Sequence, residues 1–110
     1  MSWDVVYLEE ARKDLASLDG SQAKLVRKAI QKVSGNPLPD SEGGYGKPLG
    51  SHQGNNLTGL LKVKLRGAGL RIVYKLVRSE TRMVVVVIGI REDDEVYELA
   101  RKRMERRKSS

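Results

Sequence analysis

The chain has 110 residues, with 21 Lys and Arg against 14 Asp and Glu, for a formal net charge of +7. That length supports one modest core and is too short for two, and the charge favours polyanionic partners: nucleic acid, an anionic membrane surface or an acidic protein. The absence of cysteine excludes disulfides and thiolate zinc sites and is compatible with a reducing cytoplasm, the expected location.

Met1–Leu8 carries Asp4 and lacks a basic segment followed by an apolar one, so no secretory leader is expected. No run approaches the roughly 20 apolar residues of a membrane helix. The longest, Met83–Ile90, is valine-rich, lies between Arg82 and Arg91, and reads as a buried strand. One domain over residues 1–110 is expected, with no linker, repeat or low-complexity tract.

Trp3–Leu8 is β-branched and aromatic and predicts a first strand. A helix opens at Glu9 or Glu10, with Ala11, Leu15 and Leu18 on one face, and Asp19-Gly20 ends it. Ser21 is a plausible N-cap for a second helix. Leu25, Val26, Ala29, Ile30 and Val33 form its apolar face, and Lys24, Arg27, Lys28 and Lys32 its outer one. The two predict a helical hairpin packed on a sheet. Residues 35–56 hold all three prolines and six of the eleven glycines and read as one long loop, pinned by Lys47, Leu49 and Tyr45.

Leu61, Val63 and Leu65 then alternate with Lys62, Lys64 and Arg66, and Leu70, Ile72, Tyr74 and Leu76 alternate with Arg71 and Lys75. Gly67-Ala68-Gly69 turns between them. Only a register with Leu65 opposite Leu70 and Lys64 opposite Arg71 puts both apolar sets on one face. Like charges directly opposite are unfavourable in a sheet, so such a pair points to a shared anion. Arg78–Arg82 reads as a polar turn, and Met83–Ile90 as the fourth strand. A last helix has Asp93 or Asp94 as N-cap, acidic residues in its first turn and a stripe of Val96, Leu99, Ala100 and Met104. The basic end, residues 101–110, is expected to fray. The expected fold is α+β, in the order β-α-α-β-β-β-α. A helical hairpin packs on a four-stranded, mainly antiparallel sheet, followed by a C-terminal helix.

The chemistry narrows by elimination. With no cysteine and His52 alone in a glycine-rich loop, no nucleophile–base pair stands out, and His52 reads first as a solvated loop residue. Glu92, Asp93, Asp94 and Glu95 point in successive directions around a helix and do not converge on a metal; helix capping explains them, and no metal or cofactor is expected. What remains is cationic: Lys62, Lys64 and Arg71 on one face. Cleaving RNA without metal requires a base for the 2′-OH, positive charge for the phosphorane and a proton for the 5′-oxygen. A lysine serves as base only when its pKa is lowered, which neighbouring cations favour, whereas arginine stays charged and clamps phosphate. The same pattern also suits a solvated basic face without catalysis.

The segments KVKLRGAGLRIVY (62–74) and IGIREDDEVY (88–97), together with the element order, resemble the RelE family of bacterial toxin–antitoxin toxins. The matching residues are Lys62, Lys64, Leu65, Arg66, Gly69, Arg71, Val73, Tyr74, Arg91, Val96 and Tyr97. The resemblance implies a ribosome-dependent, metal-independent endonuclease that cuts the mRNA codon in the A site, leaving a 2′,3′-cyclic phosphate and a 5′-OH. It implies Lys62 and Lys64 as the base and phosphate-binding pair, Arg71 as phosphorane stabiliser, Arg91 as acid or leaving-group stabiliser, and Tyr97 stacking on or orienting a base. Lys47, His52, Arg66 and Lys75 are wider candidates for RNA contact. The implied partners are mRNA on the ribosome and an acidic antitoxin that wraps a toxin monomeric on its own, with no membrane. Two other readings stay open: a gyrase-inhibiting toxin of the related ParE branch, which lacks this residue set, and a non-catalytic RNA- or ribosome-binding module. Gly50-Ser51-His52 stands where many members carry a further arginine, and Leu70 where an aromatic residue is common.

Overall fold

The computed structural model describes residues 2–52, 55–65, 67–90 and 93–109. Five strands form one mixed sheet in the order β1-β5-β4-β3-β2. Strand β1 (Asp4–Tyr7) runs parallel to β5 (Arg82–Gly89), and β2 (Lys47–His52), β3 (Asn55–Leu65), β4 (Leu70–Val77) and β5 are antiparallel in turn. The helices are α1 (Glu9–Ala16), α2 (Gly20–Val33) and α3 (Asp93–Ser109).

The α+β class is as the sequence predicts, but the sheet has five strands instead of four. The extra one, β2, lies inside the segment expected to be a loop, and β3 begins at Asn55, well before Leu61. Pro48, Gly50 and a register break between them conceal β2. At the edge of the sheet a missing N–H costs little, because one side of the strand has no ladder to lose. The β3–β4 register is the expected one, with Lys64 opposite Arg71 and Leu65 opposite Leu70. Gly67 and Gly69 close that hairpin at φ of 87° and 67°, a region open to glycine and strained for other residues.

Helix α2 starts two residues earlier than expected. Asp19, not Ser21, is its N-cap: the carboxylate accepts the Gln22 N–H at 2.8 Å, and the Gln22 side chain accepts the Asp19 N–H at 3.3 Å. Ser21 instead donates to Asp19 at 2.8 Å, and these hydrogen bonds hold the Asp19 carboxyl below its usual pKa. Ala23, Val26, Ile30 and Val33 are buried, while Leu25, expected on that face, is turned out and 48% exposed. In β5, six consecutive residues from Met83 to Ile88 are buried, so both faces of that strand are covered. Among the described residues no helix is long and apolar enough to cross a membrane.

Helix α3 already includes Asp93, so neither Asp93 nor Asp94 precedes it, and Glu92, the residue before it, lies outside the described residues. The helix continues through the basic end to Ser109 rather than fraying at residue 101. Its stripe explains why. Val96 and Ala100 are buried, and one turn further on Arg103 is buried as well. Opposite β4, Val73 faces Val87 and Tyr74 faces Val85, so Val86 is left without a partner by a bulge, and β1 pairs no further than Val85. Arg103 donates to the Val86 carbonyl at 2.8 Å and to both Asp14 oxygens at 2.7 and 3.1 Å, while Asp14 accepts the Ile88 N–H at 3.0 Å. One ion pair thus satisfies the backbone of the bulge and ties α1 and α3 to β5.

Lys47 pairs with β3, Leu49 packs against the core and the Tyr45 N–H bonds the Asn36 carbonyl, as expected, and a further buried contact holds the segment between α2 and β2. The Tyr74 hydroxyl, in the core, donates to the Pro37 carbonyl at 2.8 Å, and burial keeps that phenol protonated far above its usual range. A methyl group on Gly46 would lie 2.2 Å from the same oxygen. A short 3-10 turn, Asp40–Glu42, adds a surface tie, with Glu42 bound at both oxygens by Arg78 at 2.6 and 3.0 Å.

Two stability outcomes follow from these contacts. Arg103→Met leaves Asp14 without its cation and the Val86 carbonyl without its donor, and urea denaturation should show a loss of about 3–5 kcal/mol; a change within about 0.5 kcal/mol would assign the anchoring of α3 elsewhere. Tyr74→Phe leaves the buried Pro37 carbonyl without that donor and should cost about 1–3 kcal/mol in the same measurement.

Candidate functional site

Strand pairing builds the site. Residues directly opposite in a sheet point to one face, as do residues two apart on a strand. Lys47 on β2 lies opposite Lys62 on β3, and Lys64 on β3 lies opposite Arg71 on β4. Four cations therefore stand on one face in two adjacent cross-strand pairs. Lys47, Lys62 and Lys64 join Tyr45 and Val63 in lining a cleft of about 350 Å³.

Helix α3 closes this face. Tyr97 lies in its first turns, beside the buried Val96, and is itself 5% exposed. The Lys62 ammonium donates to the Tyr97 hydroxyl at 2.5 Å and lies 5.2 Å from the ring centroid. The distance from nitrogen to hydroxyl and on to the ring centre accounts for that separation. The ammonium thus approaches the oxygen end of the ring and does not stack on its face. The half-buried Lys62 is fixed by this contact, while Lys64 is exposed. With its ring covered, Tyr97 presents its hydroxyl to the site and little surface for stacking.

The other candidates are placed differently. Arg71 reaches the Gly69 carbonyl at 3.4 Å and stands beside Lys64 without lining the cleft. Lys75, on β4 opposite Leu60 and Val84, is also outside it. His52 ends β2 opposite Asn55, five residues from Lys47 and so roughly 16 Å along the strand; its side chain lies outside the described residues. Arg66 and Arg91 lie outside the described residues. Sequence reasoning left Tyr45 out of the site, because its segment reads as a loop and the pairing of Lys47 with Lys62 depends on the concealed strand β2. No alternation signals it, because Lys47 and Leu49 are two apart and a register break falls between Pro48 and Gly50.

A RelE-like toxin protein of Escherichia coli is 30% identical to this chain over 104 residues, covering 94% of the chain and 99% of the relative. The chain belongs to the RelE family. The mRNA interferase toxin RelE of Escherichia coli K12 is 27% identical over 107 residues, covering 94% and 99%. Among solved structures, a double arginine-to-alanine mutant of E. coli toxin RelE in the free state superposes with a TM-score of 0.71 at 25% identity, over 94% of this chain and 99% of that one. The RelBE2 toxin–antitoxin complex of Mycobacterium tuberculosis contains a chain with a TM-score of 0.66 at 25% identity, over 83% of this chain and 100% of that one. No protein-family model matches the sequence. The two cationic pairs and the Lys62–Tyr97 contact are thus features of a RelE-family chain.

If the cleft holds phosphate, its lysines contribute to affinity by releasing counterions. Lys47→Ala should make the dependence of log K on log salt for single-stranded RNA shallower by about 0.7, with the melting temperature unchanged. Fluorescence anisotropy across a salt series measures it; an unchanged slope would remove Lys47 from the phosphate path.

Proposed function

We propose that this RelE-family chain is the toxin of a toxin–antitoxin pair and a metal-independent endoribonuclease that cuts mRNA codons in the ribosomal A site. The observation that carries the reading is the cleft in which Lys62, fixed by Tyr97, stands with Lys47 and Lys64 and next to the Lys64–Arg71 pair. The name mRNA interferase, borne by a relative that aligns over nearly the whole chain, supports it.

In this mechanism one of Lys62 and Lys64 accepts the proton of the 2′-OH while that oxygen attacks the adjacent phosphorus. The other lysine and Arg71 balance the added negative charge of the phosphorane. The bond from phosphorus to the 5′-oxygen breaks, and Arg91 stabilises or protonates the leaving oxygen. The products are a 2′,3′-cyclic phosphate and a 5′-OH. Tyr97 acts through its hydroxyl on Lys62, a role that depends on the hydrogen bond more than on ring surface. The partner that restrains the toxin is an acidic antitoxin wrapping the basic surface, supported by the toxin–antitoxin complex of a relative with this fold. Ribosomes place this activity in the cytoplasm.

The test uses programmed ribosomes and free mRNA side by side. The wild type should cut only on ribosomes, Arg91→Ala should abolish cutting, and Lys62→Met should slow it by roughly 100- to 10,000-fold. Tyr97→Phe, which keeps the ring and loses the hydroxyl, should reduce the rate and alter its pH profile. Tight ribosome binding with intact mRNA would replace this reading with a non-catalytic binding module. Intact mRNA with inhibited gyrase would replace it with a ParE-type action.

A further inference from the structure

An aromatic side chain outside the proposed catalytic set stands at the same cleft. Tyr45 is 50% exposed, the most exposed of the large aromatic residues turned outward, and lines the cleft with Lys47, Lys62 and Lys64. Half of this residue's surface therefore stays in water. Its position is nonetheless well determined. The Tyr45 N–H donates to the Asn36 carbonyl at 3.1 Å, and the Gly46 N–H to the Leu38 carbonyl at 3.1 Å. Gly44 sits so close to Leu38 that a methyl group there would lie 2.0 Å from the Leu38 oxygen. Elsewhere in the segment Tyr74 holds the Pro37 carbonyl and Arg78 holds Glu42. The Lys32 ammonium of α2 lies over the Tyr45 ring, 5.3 Å from its centroid.

A ring carried on a fixed backbone beside a row of cations is an arrangement that binds single-stranded nucleic acid. Cations track the backbone, and the aromatic face receives an unstacked base. Tyr97 supplies little of that face, since its ring is covered. We propose that Tyr45 is the stacking platform for a base next to the phosphate held by Lys47, Lys62 and Lys64, with Lys32 on one side of the ring and the base on the other. A purine offers the larger surface to stack, so Tyr45 favours a purine at that position. The proposal rests on the reading of the cleft as an RNA site and assigns a base-selecting residue within it.

The experiment uses the full chain and single-stranded RNA oligonucleotides with 2′-O-methyl groups that block attack and with 2-aminopurine at successive positions. In the wild type and in Tyr45→Phe, fluorescence should be quenched at one position. In Tyr45→Ala that quench should disappear, and affinity should fall roughly 5- to 100-fold without a change in the salt slope. The backbone hydrogen bonds of residues 45 and 46 do not need the ring, so the Ala variant should melt as the wild type does. On programmed ribosomes, Tyr45→Ala should lose the purine preference, with KM raised more than kcat is lowered. Equal affinity and equal quench in Tyr45→Ala would overturn the proposal, as would an equal loss in Tyr45→Phe or a wild type with no quenched position. A wild type that binds and quenches but never cuts would overturn the catalytic reading and leave the platform standing. A wild type that cuts with a Tyr45→Ala variant of unchanged base profile would do the reverse.

Discussion

The site depends on like charges that the sheet holds side by side. Lys47 faces Lys62 and Lys64 faces Arg71, pairs that repel at the separation of adjacent strands. Side chains on a loop would swing apart. Here the strands cannot, because the opposite faces of β3 and β4 carry Leu61, Ile72 and Tyr74 into the core. Burial of apolar surface thus offsets the repulsion and holds the cations side by side. The same constraint explains the Lys62–Tyr97 contact: an ammonium that must stay half-buried takes a hydroxyl oxygen brought by α3.

Much of this was readable from alternation. Leu61, Val63 and Leu65 against Lys62 and Lys64, with the glycines at 67 and 69, are enough to determine the hairpin register and the Lys64–Arg71 pair. Periodicity failed where a strand was short and irregular. Lys47–His52 contains Pro48 and Gly50, residues that an edge strand tolerates and a central one does not, so its pairing with β3 was hidden and Lys47 looked like a loop residue. The resemblance to a known family brought in Arg91 and Tyr97, which no spacing rule connects to the strands. What Tyr97 does in the fold, lying buried with its hydroxyl on Lys62, needed the packing of α3 on the sheet.

The Asp14–Arg103 pair was missed for a different reason. Arg103 stands on the apolar stripe of Val96 and Ala100, where a helical wheel expects a hydrophobic residue. A cation there signals a buried acceptor, but the acceptors are a carboxylate from α1 and a carbonyl freed by a bulge at Val86. The bulge is not written in a valine run. Sequence patterns report which face of an element is apolar. They do not report where a ladder is interrupted, and an interrupted ladder is what makes a buried charge useful.

The cleft also lies next to the open edge of the sheet. Among the described residues β2 has β3 on one side and no strand on the other, and such an edge invites a second chain to add its own strand. Lys47 and Pro48 stand on it, a charge and a residue without an N–H, and both discourage that addition. The charge proposed to receive an anion therefore also guards the edge against strand addition. A form disarmed by replacing Lys47 with an apolar residue would lose part of this protection and become more prone to self-association, whereas a lysine-to-arginine change there would retune the cleft with the edge charge kept.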